Sequence, residues 1–159
     1  MTGNMIRKVS GLLAGLLLVL LSGCATAPKE PEGFVIEPSD TTQPRVLPDR
    51  GTSKAALRLL AQARQAAQDG ELDVAEARLE RALRIEPRNA VLWHYMAKLR
   101  LYQGRYGQAG GLAAKSNSLS RDDKVLQADN WRIIAHARYR AGDRAGAERA
   151  RQKAAALAP

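Results

Sequence analysis

The sequence predicts an all-α domain built from three consecutive pairs of helices, and three observations support this fold class. Residues 53–159 are rich in alanine, leucine, arginine and glutamine, residues that favour helices. Pro87 is the one proline between residues 53 and 158. Three glycines, Gly70, Gly104 and Gly142, occur in similar contexts at spacings of 34 and 38 residues. A period of this length is typical of a stacked helical repeat.

Residues 1–23 have the parts of a secretory signal peptide. Arg7 and Lys8 precede an apolar run over residues 9–21, which is shorter than the about 20 residues that span a bilayer. The run ends in Leu21-Ser22-Gly23-Cys24, which contains the only cysteine of the chain. These four residues resemble the lipobox of bacterial lipoproteins. The resemblance implies that the signal peptide is cleaved, and that Cys24 is acylated and anchors the protein to a membrane.

The residue after the cysteine predicts which membrane holds the anchor. In lipoproteins of this kind an aspartate at that position usually retains the protein at the inner membrane, and here the residue is Ala25. The resemblance therefore implies a lipid anchor in the outer membrane, facing the periplasm. The periplasm is oxidising, which fits a chain whose only cysteine is acylated.

Residues 24–52 are predicted to form a disordered tether, because they contain five of the seven prolines and lack apolar periodicity. They carry three basic and five acidic side chains, whereas residues 53–159 carry 20 basic and 11 acidic ones. The helical domain thus has a net charge of +9. Such a charge is typical of domains that bind nucleic acid, an anionic membrane surface or an acidic partner, and export to the periplasm argues against nucleic acid. A basic surface that only keeps the domain soluble is the alternative.

The three glycines bring other positions of the domain into register. Eleven residues before each glycine the side chain is large, seven before and five after it is alanine, and seventeen after it is proline in two of three repeats. The columns are Leu59, Trp93 and Trp131; Ala63, Ala97 and Ala135; Ala75, Ala109 and Ala147; and Pro87, Arg121 and Pro159. This pattern resembles the tetratricopeptide repeat, which implies a helical solenoid with repeats at about 56–89, 90–123 and 128–159.

The predicted helices cover residues 54–68, 72–85, 89–103, 106–119, 123–141 and 144–157. Four additional residues precede the third repeat, which predicts that its first helix is about one turn longer. Gly110 and Gly111 lie inside the fourth helix and are expected to weaken it by up to about 1 kcal/mol each.

The sequence does not predict an enzyme. His94 and His136 are 42 residues apart, and no cysteine or carboxylate cluster stands beside them at the spacing of metal ligands. Neither a glycine-rich phosphate loop nor the context of a serine nucleophile occurs. We therefore expect no catalytic residue, metal, cofactor or small-molecule substrate, and we expect function through protein binding.

Proteins with tetratricopeptide repeats bind partners along a groove lined by the first helix of each repeat. The groove positions lie ten, six and three residues before the turn glycine, a single stripe on a helix. The stripe and the residues that border it supply the candidate partner-binding residues. These are Arg64, His94, Tyr95, Lys98, Tyr102, Arg132, His136, Tyr139 and Arg140.

A lipid anchor, a proline-containing tether and a small repeat domain also resemble the LpoP-type activators of class A penicillin-binding proteins. This resemblance implies a domain that docks on a peptidoglycan synthase and favours its active conformation. Two other interpretations stay open from the sequence: a pilotin or assembly factor for a pilus or secretin, and a scaffold that recruits peptidoglycan hydrolases.

Overall fold

The structure, a computed structural model, describes Pro48 and residues 51–157. The predicted signal peptide, Cys24 and nearly all of the predicted tether lie outside these residues. Within residues 51–157 every regular element is an α-helix. The helices are α1 (Lys54–Gln68), α2 (Leu72–Ile85), α3 (Ala90–Tyr102), α4 (Tyr106–Leu119), α5 (Lys124–Arg140) and α6 (Arg144–Leu157). None of these six helices is long and apolar enough to cross a membrane.

The structure confirms the predicted helices, and the small differences at two of them have a clear cause. Helices α3 and α5 each begin one residue later than predicted because Asn89 and Asp123 act as N-caps. Both also end one residue earlier than predicted, because Gln103 and Ala141 are their C-caps. The Asn89 side chain accepts hydrogen bonds from the backbone N–H groups of Val91 and Leu92. The Asp123 side chain accepts one from Leu126. A capping residue satisfies the first free N–H groups and lies outside the helix itself.

Three-residue turns centred on the repeated glycines connect the two helices of each pair. Gly70, Gly104 and Gly142 have φ angles of +80°, +74° and +86°, which glycine adopts without steric cost. At the first of these turns the Glu71 N–H donates to the Ala66 carbonyl, and the Gly70 N–H donates to the Ala67 carbonyl. The same two bonds recur at the other glycines, so each first helix ends in a Schellman motif.

Small side chains lie where the helices of each pair cross. The six alanines of the columns described above are at most 3% exposed, as expected where two backbones approach closely. Each helix packs on the next along the chain, and α3 also packs on α5. The buried residues form two hydrophobic clusters, one centred on α1 to α3 and the other on α3 to α6. Trp93 packs against the first cluster and Trp131 against the second.

The junction between the second and third pairs departs from the repeat in the predicted way. Helix α5 has 17 residues, so it is longer than α3 (13 residues) by about one turn, as predicted, and longer than α1 (15 residues) by about half a turn. Arg121 stands where the other repeats have proline, and its φ of +48° ends α4 with a left-handed residue that is not glycine. Such a conformation costs about 1 kcal/mol for a residue with a side chain.

Candidate functional site

The nine candidate residues occupy three helices and differ widely in exposure. On α1, Arg64 is half-buried. On α3, His94, Tyr95 and Lys98 are buried, whereas Tyr102 is 50% exposed. On α5, His136 is half-buried, and the remaining residues are exposed: Arg132, Tyr139 and Arg140. The stripe therefore has an accessible end on α5 and a more enclosed middle on α3.

A cation–aromatic cluster joins α1 and α3 at the enclosed part of the stripe. The guanidinium carbon of Arg64 lies 5.6 Å from the centroid of the Tyr95 ring, and Lys98 Nζ lies 5.9 Å from it. The His94 ring meets Tyr95 edge-on, with the centroids 5.3 Å apart. Cations at these distances are attracted by the negative face of the ring. Four of the nine candidate residues therefore lie together in this cluster.

His94 is fully buried, so it offers no surface to a partner and instead belongs to a polar network between the second and third repeats. Asn130 donates its amide hydrogens to Ser116 Oγ (2.7 Å) and Asn117 Oδ1 (2.9 Å). Its Oδ1 is then left to accept a hydrogen from His94 Nδ1 at 2.9 Å. Buried polar groups need such partners, because an unsatisfied one costs about 1–3 kcal/mol.

The second nitrogen of His94 faces a carboxylate. Its Nε2 lies 3.3 Å from Asp129 Oδ2, which is close enough for an ion pair. The two groups are not aligned for a hydrogen bond. Burial lowers the pKa of His94, and the negative charge of Asp129 opposes that effect. Asp129 also lies 3.7 Å from Arg132 Nη1, so one acidic side chain sits within the otherwise basic stripe. Asp129 was not among the sequence candidates because it lies one turn before the first stripe position of α5.

A second cation–aromatic cluster involves the third repeat. It includes one arginine of α6 that was not among the candidates. The guanidinium carbon of Arg151 lies 5.7 Å from the Tyr139 ring centroid, and that of Arg140 lies 5.0 Å from the Tyr106 ring centroid. Burial lowers the pKa of His136, and the charges of Arg140 and Arg151 lower it further. A neutral histidine among arginines suits hydrogen bonding to an acidic partner.

A separate groove, which the sequence did not predict, runs between α2 and α4 over α3 and has a volume of about 890 Å³. Its apolar lining residues are Leu83, Pro87, Trp93, Met96 and Leu112, and its polar ones are Glu80, Arg84, Arg100 and Gln108. Gly111 completes the wall formed by α4. On α3 the groove uses positions 93, 96 and 100, which form a different face of the helix from the stripe. We call it the α2–α4 groove.

Among residues 51–157, no group of three histidine, cysteine, aspartate or glutamate side chains is placed to hold a metal ion. The chemistry that the two clusters do offer is the noncovalent recognition of negative charge by arginine and lysine beside aromatic rings.

A solved structure shares this fold and much of this sequence. The globular C-terminal domain of P. aeruginosa LpoP is 42% identical, with a TM-score of 0.63. The match covers 65% of this chain and 97% of that domain. The chain belongs to the LpoP family. The matched 65% of this chain is close to the fraction of the chain that residues 51–157 make up. The similarity to LpoP therefore concerns the helical domain. No protein-family model and no curated protein matches the chain.

Proposed function

We propose that the helical domain binds a class A penicillin-binding protein through the basic stripe and stimulates peptidoglycan synthesis without taking part in the reaction. We define the basic stripe as Arg64, Lys98, Arg132 and His136. The observation that carries the proposal is membership of the LpoP family. The order of anchor, tether and repeats in this sequence also resembles that of the LpoP-type synthase activators. The arginine–aromatic clusters along α3 and α5 supply the means of binding.

Docking at the stripe can activate an enzyme only if the domain binds its active conformation more tightly than its inactive one. The exposed arginines on α5 and α6 and the half-buried His136 suit an acidic loop or extended segment of the synthase. The enclosed cluster around Tyr95 fixes the position of Arg64 and Lys98 in advance, so less side-chain entropy is lost on binding.

The binding test compares two charge reversals. Arg132→Glu reverses an exposed charge of the basic stripe, on α5. Arg149→Glu reverses an exposed charge outside the stripe, on α6. With a purified class A penicillin-binding protein, Arg132→Glu is expected to weaken binding about tenfold and to abolish most of the stimulation of glycan polymerisation. Arg149→Glu should behave like the unchanged protein. Equal binding by both variants would refute the role of the stripe.

The choice of partner has its own test. The helical domain is used to capture envelope proteins, which are identified by mass spectrometry. Recovery of a class A penicillin-binding protein supports the proposal. Recovery of secretin or pilus components, or of peptidoglycan hydrolases, would instead favour an assembly factor or a hydrolase scaffold.

The proposal also places the protein in the outer membrane, held by the acylated Cys24 and facing the periplasm. Cys24→Ser removes the thiol that carries the lipid and should move the protein from the membrane fraction to the soluble fraction. Ala25→Asp keeps the lipid and should instead move the protein to the inner membrane. An unchanged distribution of both variants between the membranes would contradict this anchor.

A further inference from the structure

Gly111 leaves a gap in the wall that α4 contributes to the α2–α4 groove, between the side chains of Gln108 and Leu112. Helix α4 contains Gly107, Gly110 and Gly111 within 14 residues. None of the three has a positive φ, and a Cβ atom at Gly107 or Gly111 would have no neighbour within 4 Å. The packing of the domain itself therefore does not require glycine at these two positions, although glycine is unfavourable inside a helix. The missing side chain at Gly111 leaves room for another segment against Trp93 and Leu112.

The chain enters the domain at one end of this groove. Asn89 Nδ2 donates to Thr52 Oγ1 at 3.0 Å, and the Ser53 N–H donates to Glu86 Oε1 at 2.7 Å. Both bonds hold the beginning of the domain against the turn between α2 and α3. That turn contains Pro87, which lines the groove. The N-terminal segment therefore starts from a fixed point beside the groove.

The N-terminal segment contains a sequence that suits the groove. Phe34, Val35 and Ile36 are three consecutive large apolar residues, and Phe34 is the only phenylalanine of the chain. Residues 30–40 around them carry four acidic and no basic side chains, whereas residues 53–159 have a net charge of +9. Opposite charges of this size favour association. The charged residues that line the groove itself are Arg84, Arg100 and one carboxylate, Glu80. Arg84 is exposed on α2, where it can meet a carboxylate of the segment.

We propose that residues 34–36 dock in the α2–α4 groove of their own chain. The fifteen residues between Ile36 and Thr52 can extend over about 50 Å. Because the segment is tethered, its effective concentration at the groove is in the millimolar range. The stripe lies on another face of α3, so this inference does not depend on the partner proposed above.

The test uses residues 25–159, which retain the segment and the domain and contain no native cysteine. A nitroxide spin label is attached through Asp40→Cys, and the broadening of backbone amide signals is measured by NMR. We expect Gln108, Gly111 and Leu112 to lose most of their peak height at every protein concentration. Arg132 and His136 of the stripe should keep theirs.

Three outcomes would overturn the proposal: no localised broadening, broadening at the stripe, or broadening at the groove that disappears on dilution. The last result would identify a second copy of the chain as the occupant. Phe34→Ser should abolish the broadening, whereas Val46→Ser, a matched change outside the segment, should not. Gly111→Leu fills the groove and favours the helix, so it should also release the segment while circular dichroism shows the domain folded.

Discussion

Replacing Ser116 by alanine tests whether the buried network between the second and third repeats stabilises the domain. Ser116 is fully buried, and its Oγ donates to the Ala90 carbonyl at 2.8 Å and accepts from Asn130 Nδ2 at 2.7 Å. The change removes two hydrogen bonds of about 1 kcal/mol each and leaves an amide hydrogen of Asn130 without its partner. Alanine offsets part of this loss through its higher helix propensity, by roughly 0.5 kcal/mol.

The expected net loss is about 2 kcal/mol in the free energy of unfolding. Urea denaturation followed by circular dichroism measures it, and at a slope of about 2 kcal/mol per molar the midpoint should fall by about 1 M. Ser118→Ala is the matched control, because Ser118 lies on the same helix, is exposed, and bonds only to the nearby Lys115 carbonyl. Its effect should stay within about 0.5 kcal/mol.

Equal stabilities of the Ser116→Ala and Ser118→Ala proteins would refute the reasoning. Residues in one hydrogen-bond network are not independent, so Ser116→Ala combined with Asn130→Ala should lose less than the sum of the two single changes. Additive losses would show that the network does not act as a unit.

Two further predictions concern the first two repeats. Arg100 hydrogen-bonds Glu76 with both terminal nitrogens, and these bonds hold the Glu76 pKa below its ordinary value. Because the folded-state pKa is lowered, the carboxylate stabilises the fold above about pH 4.3, and this contribution is lost as the pH falls through the lowered value. Glu76→Gln should therefore lower the urea midpoint at pH 7 and flatten its dependence on pH below 4.3; an unchanged acid dependence would contradict this. Gly111→Ala should raise the free energy of unfolding by about 0.5–1 kcal/mol, since its Cβ meets open space, whereas Gly70→Ala, at a φ of +80°, should lower it by about 1 kcal/mol. The same urea titrations measure both, and a loss of stability in Gly111→Ala would show that α4 needs its glycine.

Most of the fold could be predicted from the sequence because the repeat encodes it locally. The turn glycines, the alanines at helix crossings and the caps each act within a few residues, so their positions along the chain determine where helices end. The additional turn of α5 was likewise visible as four additional residues. The resemblance to a synthase activator came from the order of anchor, tether and repeats rather than from any site.

The candidate site was less predictable because helical spacing gives the direction of a side chain but not what covers it. His94 has a stripe position, yet Asn130 and Asp129 of the next repeat enclose it. Arg151 approaches Tyr139 from α6, a contact that no spacing within α5 could reveal. The sequence signal for the α2–α4 groove was Gly111, a glycine inside a helix, which by itself predicts only a weaker α4.

The positions of the two tryptophans make them separate optical probes of the two ends of the domain. Both tryptophans of the chain lie in the described helices: Trp93 donates to the Pro87 carbonyl beside the first pair, and Lys153 of α6 lies 4.3 Å from the Trp131 ring centroid. In a stack stabilised by contacts between neighbours, either terminal pair can detach before the rest. With one tryptophan replaced by phenylalanine, the fluorescence of the other would report detachment at its own end, so the order in which the repeats separate can be read from two single-tryptophan proteins.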